Sequence, residues 1–205
     1  MTSMPMRRFV LLGQKATARP DFSLDDVPGT SGRLDVLLRC LRSALLVSHG
    51  LRRDTLVYLV LYGGGPRTIR IDGRIASYLR PDERTMAGRV RAMLATKAEG
   101  PGFDAEGAER QGMAVADGGL DVVLADLEGG ETLYVLDEEG DDVRDLQLDL
   151  ARPVFFVGDH LGFDPEVRER LRAAGAIAIK VGPLSLHADD AIAVVRNELD
   201  RADAG

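Results

Sequence analysis

The feature that most narrows the fold is a set of short, almost unbroken apolar runs: "RFVLLG" from Arg8, "TLVYLVLY" from Thr55, "LYVL" from Leu133, "VFFVG" from Val154 and "AIAIKVG" from Ala176. Each has the length of a strand rather than a helix. None alternates apolar with polar residues, so each fits a strand buried on both faces. Strands of this kind belong to a sheet with helices on either side, and the expectation is an α/β fold with a mostly parallel sheet.

The covering helices show in the spacing. Leu34, Leu37, Leu38, Leu41, Ala44 and Leu45 recur at three- and four-residue steps, with Gly50 beyond; Met86, Val90, Met93 and Leu94 repeat the pattern after Pro81. Asp164 and Pro165 make a cap and first turn for Val167, Leu171 and Ala174, and Gly175 ends that segment. Ala188, Ile192, Val195 and Leu199 form the face of a last helix. Two segments read differently. "RTIRIDGRI", from Arg67 to Ile75, alternates around Asp72 and Gly73 and predicts a hairpin whose two central residues take positive φ, and "GMAVAD" from Gly112 predicts a further strand. The polar stretch from Gln14 to Gly32 predicts an ordered surface excursion or a mobile lid.

Composition excludes several classes. No apolar run approaches the roughly 20 residues that span a bilayer, and the N-terminus has no apolar signal core, so no membrane is expected and the cytoplasm is the default location. The single cysteine, Cys40, excludes an internal disulfide and a Cys-based zinc site; on a helix's apolar face it reads as a structural thiol. A formal net charge of −7 coexists with three lysines and many arginines. A GC-rich genome gives that bias without physical consequence; concentrated salt favours it because carboxylates are well solvated and counterions screen their repulsion. We take the second reading, a halophilic host.

Familiar catalytic signatures are missing. "YGGGP" from Tyr62 has neither GxGxxG nor GxxxxGK[ST] spacing and reads as a turn. His49, His160 and His187 lie in separate segments, so no metal is expected, and no GxSxG accompanies Ser185. Helix capping is the plain reading of Asp159, Ser185 and His187. What remains is positional: Leu136, Gly158 to Gly162 and Val181 to Leu186 all follow predicted strands, and strand-end loops with glycine can let a ligand approach exposed backbone N–H and C=O groups. An uncharged nucleoside suits such a cleft better than a polyphosphate.

"FVGDHLGF", "KVGPLSLHADDAI" and the upstream "SHGLRRDTLVYLVL" resemble the archaeal tRNA pseudouridine(54) N1-methyltransferases, a branch of the SPOUT class, and the resemblance runs from "MRRFVLLG" through "PRTIRIDGRI" to the last helix. It implies one domain over residues 1–205, an insertion near 67–75, and a trefoil knot near 132–192 in the C-terminal part of the sheet. It also implies a homodimer and S-adenosyl-L-methionine held mainly by backbone at Leu136, Gly158, Val181, Gly182, Pro183, Leu184, Ser185 and Leu186. The substrate implied is tRNA, methylated on N1 of pseudouridine in the T-loop. Ala191 stands where some relatives carry cysteine, which puts any thiol role there in doubt.

The N1 proton must leave as the new bond forms, and a carboxylate can accept it. By analogy with a related ribosomal pseudouridine methyltransferase family, the candidate is Asp72 beside Arg70 and Arg74; a tight turn would want the same Asp-Gly pair. Arginines at 39, 42, 52, 53, 67, 70, 74 and 80 are clustered, and Arg52, Arg53, Arg67 and Arg80 are the expected RNA contacts, with Tyr62 and Tyr78 as candidate stacking partners. Because phosphate contacts weaken in salt, an acidic halophilic enzyme should depend more on shape and stacking. Three alternatives stay open: ribosomal RNA as substrate, a knotted RNA-binding or assembly factor without catalysis, and a nucleotide-sensing module without RNA.

Overall fold

In the computed structural model, residues 6–97, 102–103 and 109–204 are described. The chain runs β1 (Arg7–Thr17), α1 (Val27–Thr30), α2 (Leu34–Leu45), a small hairpin of β2 (Leu46–Val47) and β3 (Gly50–Leu51), β4 (Thr55–Gly63), β5 (Arg67–Asp72) and α3 (Glu83–Leu94). It continues through β6 (Glu109–Arg110), β7 (Met113–Asp117), α4 (Leu120–Asp126), β8 (Thr132–Asp142), β9 (Pro153–Gly158), α5 (Pro165–Ala173), β10 (Ile177–Lys180) and α6 (Ala188–Ala204). One eight-stranded sheet has the order β10-β8-β9-β1-β4-β5-β7-β6. Its first five strands are parallel; β5, β7 and β6 are joined antiparallel.

The unbroken apolar runs are explained by burial on both faces. Phe9, Leu11, Val57, Leu59 and Phe155 pack with leucines of α2 and residues of α3 and α6. Their neighbours Val10, Leu12, Tyr58, Val60 and Phe156 pack on the other face with α4 and α5 residues such as Val123 and Leu171. Phe155 stacks between Phe9 and Tyr134, at centroid distances of 5.3 and 5.2 Å. Each such side chain contributes about 1.5–3 kcal/mol on burial. β10 departs from the expectation: as an edge strand it leaves Ile177 exposed. Cys40 is buried in the α2 core, and burial pushes its thiol up to about 12.

The Gln14–Gly32 stretch is an ordered excursion, not a lid. β1 extends through its first residues, Phe22 and Val27 are buried, and Thr17 N donates to Ser31 O at 2.9 Å. It feeds α2 through Gly32 and Arg33, both with positive φ, and Ser31 Oγ accepts from Leu34 N, the first residue of the helix, at 3.1 Å. Gly32 is required: a Cβ there would lie 1.9 Å from Lys15 O. Asp35, buried in the first turn of α2, is held by Arg33 (2.9 Å) and Arg39 (3.0 Å).

The hairpin expected inside residues 67–75 is absent. Residues 67–72 are one central strand, laddered to β4 on one side and β7 on the other, so no chain reversal fits there. The hairpin turn is instead the "GGGP" segment joining β4 to β5, with positive φ at Gly64 and Gly65. Gly73 serves close approach: its N donates to Thr55 O at 2.9 Å, and a Cβ would meet Arg52 O at 2.1 Å.

Three stability predictions follow from these positions. Gly88 lies inside α3 with room for a methyl group, its nearest neighbour being a Leu24 side-chain carbon at 3.8 Å, so Gly88→Ala should raise unfolding free energy by about 0.5–1 kcal/mol in urea titrations. Gly32→Ala should lower it by about 1–3 kcal/mol. Burial alone would raise the Asp35 carboxyl, but its bonds to Arg33 and Arg39 hold it below the usual range. A depressed folded value means the contribution is complete above the unfolded value near ~3.9 and is lost as pH falls through the lower folded one. Urea midpoints should therefore drop on acidification below about pH 4, less steeply in Asp35→Asn.

Candidate cofactor and substrate site

β10, β8 and β9 are neighbours and parallel, so their carboxyl ends share one edge of the sheet. This brings the three expected loops together. β8 follows β10 through Tyr134 and Val135, then leaves the ladder and rejoins it at Asp141 and Asp142, so Leu136 to Gly140 bulge out. Gly140 lets the bulge fold back, since a Cβ would lie 2.4 Å from the Ala178 and Ile179 backbone. Leu136 packs on the core, Asp137 pairs with Arg168, and Glu138 accepts a hydrogen bond from Ser185 Oγ, joining this bulge to the loop after β10.

The loop after β9 is a tight turn. A Cβ on Gly158 would meet the Gly162 carbonyl at 2.7 Å. The buried Asp159 carboxylate accepts from Gln14 N and Leu161 N, each at 2.8 Å, and Gln14 Nε2 donates to Gly162 O at 3.0 Å. Asp159 thus fastens the loop to the end of β1 instead of capping a helix. After β10, Val181 and Gly182 are half-buried, whereas Pro183 to Leu186 are exposed, Leu184 by 76%. His187 takes the capping place through its carbonyl, which accepts from Ala191 N at 2.9 Å.

These loops fit a sulfonium nucleoside. Gly182, at φ 151°, has open space where a side chain would stand, leaving its peptide groups approachable. Leu161, Leu184 and Leu186 are large exposed apolar residues on the loops after β9 and β10, suited to adenosine and thioether carbon. The Asp137–Glu139 bulge suits a cation.

The other expected residues are not gathered here. Gly158 shares its row with Leu12, Val60 and Thr68, whereas Asp72 pairs with Leu56, four residues back along β4 and three strands across. Strand geometry makes that separation about 20 Å, far beyond the ~3–3.5 Å of reacting atoms. Asp72 and the loops of the same chain therefore occupy opposite edges of the sheet, a separation that the linear sequence hides. Arg74 donates to both Asp72 carboxylate oxygens, with Nε at 3.0 Å from each. Burial would raise that carboxyl, but bonds from the Arg74 side chain and backbone, and the charges of Arg74 and Arg70, hold it low. Arg70 bonds Asp126 at 2.7 Å and lies over the Phe103 ring.

The expected RNA arginines divide similarly. Arg52 joins an amino-edge network with Asp54 and Asp200, shared by the buried Arg7. Arg53 donates to Gly73 O and Ala76 O, and Arg67 donates to Leu94 O, Thr96 O and Asp117. Of the four, Arg53 and Arg80 are exposed, Arg53 with its guanidinium engaged by backbone carbonyls, and Arg52 and Arg67 are half-buried. Arg39 and Arg42 instead line a groove of about 810 Å³ between α2, the β2–β3 hairpin and α6. Tyr78 is 73% exposed. Tyr62 lines a separate crevice of about 310 Å³ with Gln14, Phe163 and Arg170, a grouping for which the sequence carries no signal because its members lie in three distant segments. Among the described residues there is no cluster of metal-ligating side chains, and no helix is long and apolar enough to cross a membrane.

Comparison with known proteins agrees with this arrangement. Among solved structures, Archaeoglobus fulgidus Nep1 bound to S-adenosylhomocysteine superposes with a TM-score of 0.65 over 98% of this chain and all of its own, at 15% identity; the likeness is one of fold, a mixed and mostly parallel α/β sheet. Two curated relatives named tRNA (pseudouridine(54)-N(1))-methyltransferase are closer in sequence. The Methanosarcina acetivorans protein is 42% identical over 97% of this chain and 93% of its own length, and the Halobacterium salinarum protein is 44% identical over 96% and 97%. A family model described as a putative SAM-dependent RNA methyltransferase matches residues 6–204, and this chain belongs to that family.

Proposed function

We propose that this chain transfers a methyl group from S-adenosyl-L-methionine to N1 of pseudouridine 54 in the T-loop of tRNA, as a homodimer in the cytoplasm of a halophilic cell. The observation that carries this reading is near-full-length likeness to enzymes named for that reaction, together with two strand-end loops and a bulge in β8 of the right chemistry at one sheet edge. In this reading residues 1–205 are one domain. The bulge at Leu136, the turn at Gly158 and the stretch Val181, Gly182, Pro183, Leu184, Ser185 and Leu186 hold the cofactor in a trefoil knot near residues 132–192. The folding back of the β8 bulge on β10 supports such a crossing of the chain. When bound, the cofactor supplies an electrophilic methyl on a positively charged sulfur.

The homodimer and the role of Asp72 stand together. With Asp72 about 20 Å from the loops of its own chain, it can accept the N1 proton only at the cofactor loops of a second copy. The face of α2, the β2–β3 hairpin and α6 supports a two-fold contact: Val47, Ile75 and Tyr78 are exposed on one side of it, and Leu184 and Leu186 on the loop leading into α6. Arg70 and Arg74 then act by fixing the carboxylate and keeping it ionised at neutral pH. Arg80 is the best placed of the four expected RNA arginines. Arg52 and Arg67 stay in the reading as half-buried residues that shape the surface, and Arg53 as an exposed one tied to the carbonyls of Gly73 and Ala76.

Nucleoside mass spectrometry of tRNA from cells with and without the gene tests the reaction. N1-methylpseudouridine at position 54 should vanish on deletion and return with purified protein and S-adenosyl-L-methionine; an unchanged spectrum rejects the reading. Subunit complementation tests the shared site. Asp72→Asn should lower kcat by about 10²–10⁴, and Gly182→Asp should abolish cofactor binding in titration calorimetry. Mixing the two variants should restore activity, because each mixed dimer keeps one intact pairing of loops and carboxylate. Mixtures as inactive as their parents would reject a site shared between subunits.

A further inference from the structure

The crevice of about 310 Å³ lies where the chain divides between the two faces of the sheet. β1 and β9 are adjacent and parallel; the chain leaving β1 goes to α2 on one face, and the chain leaving β9 goes to α5 on the other. Diverging connections at the carboxyl ends of neighbouring strands open a gap, the usual ligand position in open α/β sheets. Here the gap is lined by Leu12, Gln14, Tyr62, Phe163, Glu166 and Arg170, with Val167 at its base. The cofactor loops account for none of these side chains except Gln14, whose amide nitrogen closes the Gly158–Gly162 turn.

We infer that this crevice takes up an unpaired RNA base beside the one that is methylated. The inference rests on the proposed RNA substrate. Leu12 and Val167 offer an apolar floor, and Tyr62 and Phe163 are half-buried aromatic rings, the groups on which splayed RNA bases stack. The polar groups at the opening suit a base edge. Tyr62 Oη accepts from Leu120 N at 3.2 Å and keeps its own proton to donate; Gln14 keeps its side-chain oxygen to accept. Glu166 adds a carboxylate acceptor, and it and Asp164 outnumber the one cation of the lining, Arg170, which already pairs with Asp121. Arg168, over the Phe163 ring at 5.9 Å, lies outside with its partner Asp137, one residue from the cofactor bulge's Ser185 contact. The crevice and the cofactor loops thus share the Gly158–Gly162 turn as a common wall. A chain of net charge −7 gains from such a pocket because stacking survives salt that weakens phosphate contacts.

The test uses the whole protein and a synthetic T-arm hairpin with pseudouridine at the target position, alongside hairpins made abasic at each other unpaired position in turn. Phe163→Ala should raise KM for the intact hairpin about tenfold, leaving kcat and S-adenosylmethionine affinity unchanged. One abasic hairpin should raise the wild-type KM to the same degree, with no further rise when combined with Phe163→Ala. Glu166→Lys, which alters only the exposed rim, should also raise KM if a base enters; a lowered KM would point to phosphate and overturn the inference. Unchanged KM in Phe163→Ala, or effects additive with every abasic position, would overturn it as well. Should the wild-type chain bind the hairpin without methylating it, the reaction assignment fails while dissociation constants from fluorescence anisotropy give the same comparison for the crevice.

Discussion

Burial of β1, β4 and β9 on both faces is the constraint from which the rest of the architecture follows. A strand covered on each side by helices has all its backbone groups engaged in the ladder, and its side chains leave no room for polar chemistry. Free peptide groups and accessible polar side chains can then exist only where strands end. At the carboxyl edge the parallel arrangement collects the ends of β8, β9, β10, β1 and β4, so one edge carries the glycine loops and, directly beside them, the Tyr62 crevice. The rigid ladder behind them holds both at fixed separation, which is what orienting two ligands requires.

The arginines show why charge alone is a poor guide to an RNA surface. Arg7, Arg52, Arg53, Arg67 and Arg70 all have partners within the fold: carboxylates for Arg7, Arg52 and Arg70, carbonyls for Arg53, and both for Arg67. A guanidinium has five donors in a planar fork, which makes it useful for tying a turn or a helix end to a sheet as well as for meeting a phosphate. Few of these residues are free to neutralise RNA charge without giving up an internal bond. Recognition by base stacking and shape is the consistent alternative for an acidic chain.

Much of this was legible before the structure. The apolar runs from Arg8, Thr55 and Val154 identify the central strands, and the leucines of α2 and the Asp164–Pro165 cap of α5 identify helices, because these patterns are local. The glycine loops were legible for the same reason, each following its own strand. What could not be read is how distant segments meet. Asp72-Gly73 has the composition of a turn, yet the pairing of residues 67–72 on both sides overrides it. The reversal of β5 relative to β4 puts Asp72 at the amino edge, although the resemblance suggested a role at the cofactor. No periodicity brings Gln14, Tyr62 and Phe163 together.

The amino edge nevertheless bears on the cofactor loops, through α6. That helix begins just after Leu186 and His187, and at about 1.5 Å per residue its length reaches most of the way across the sheet. Near its start, Ser43 Oγ donates to Asp189 O at 2.6 Å and Arg196 donates to the carbonyls of Ser43 and Leu46. Near its end, Asp200 and Asp203 pair with the buried Arg7, which is 3% exposed. Burial and the nearby charge of Arg52 lower Arg196 to about 10, still leaving it charged at neutral pH, so its bonds to α2 persist there. An α6 held at both ends in this way fixes the position of the Val181–Leu186 loop that leads into it.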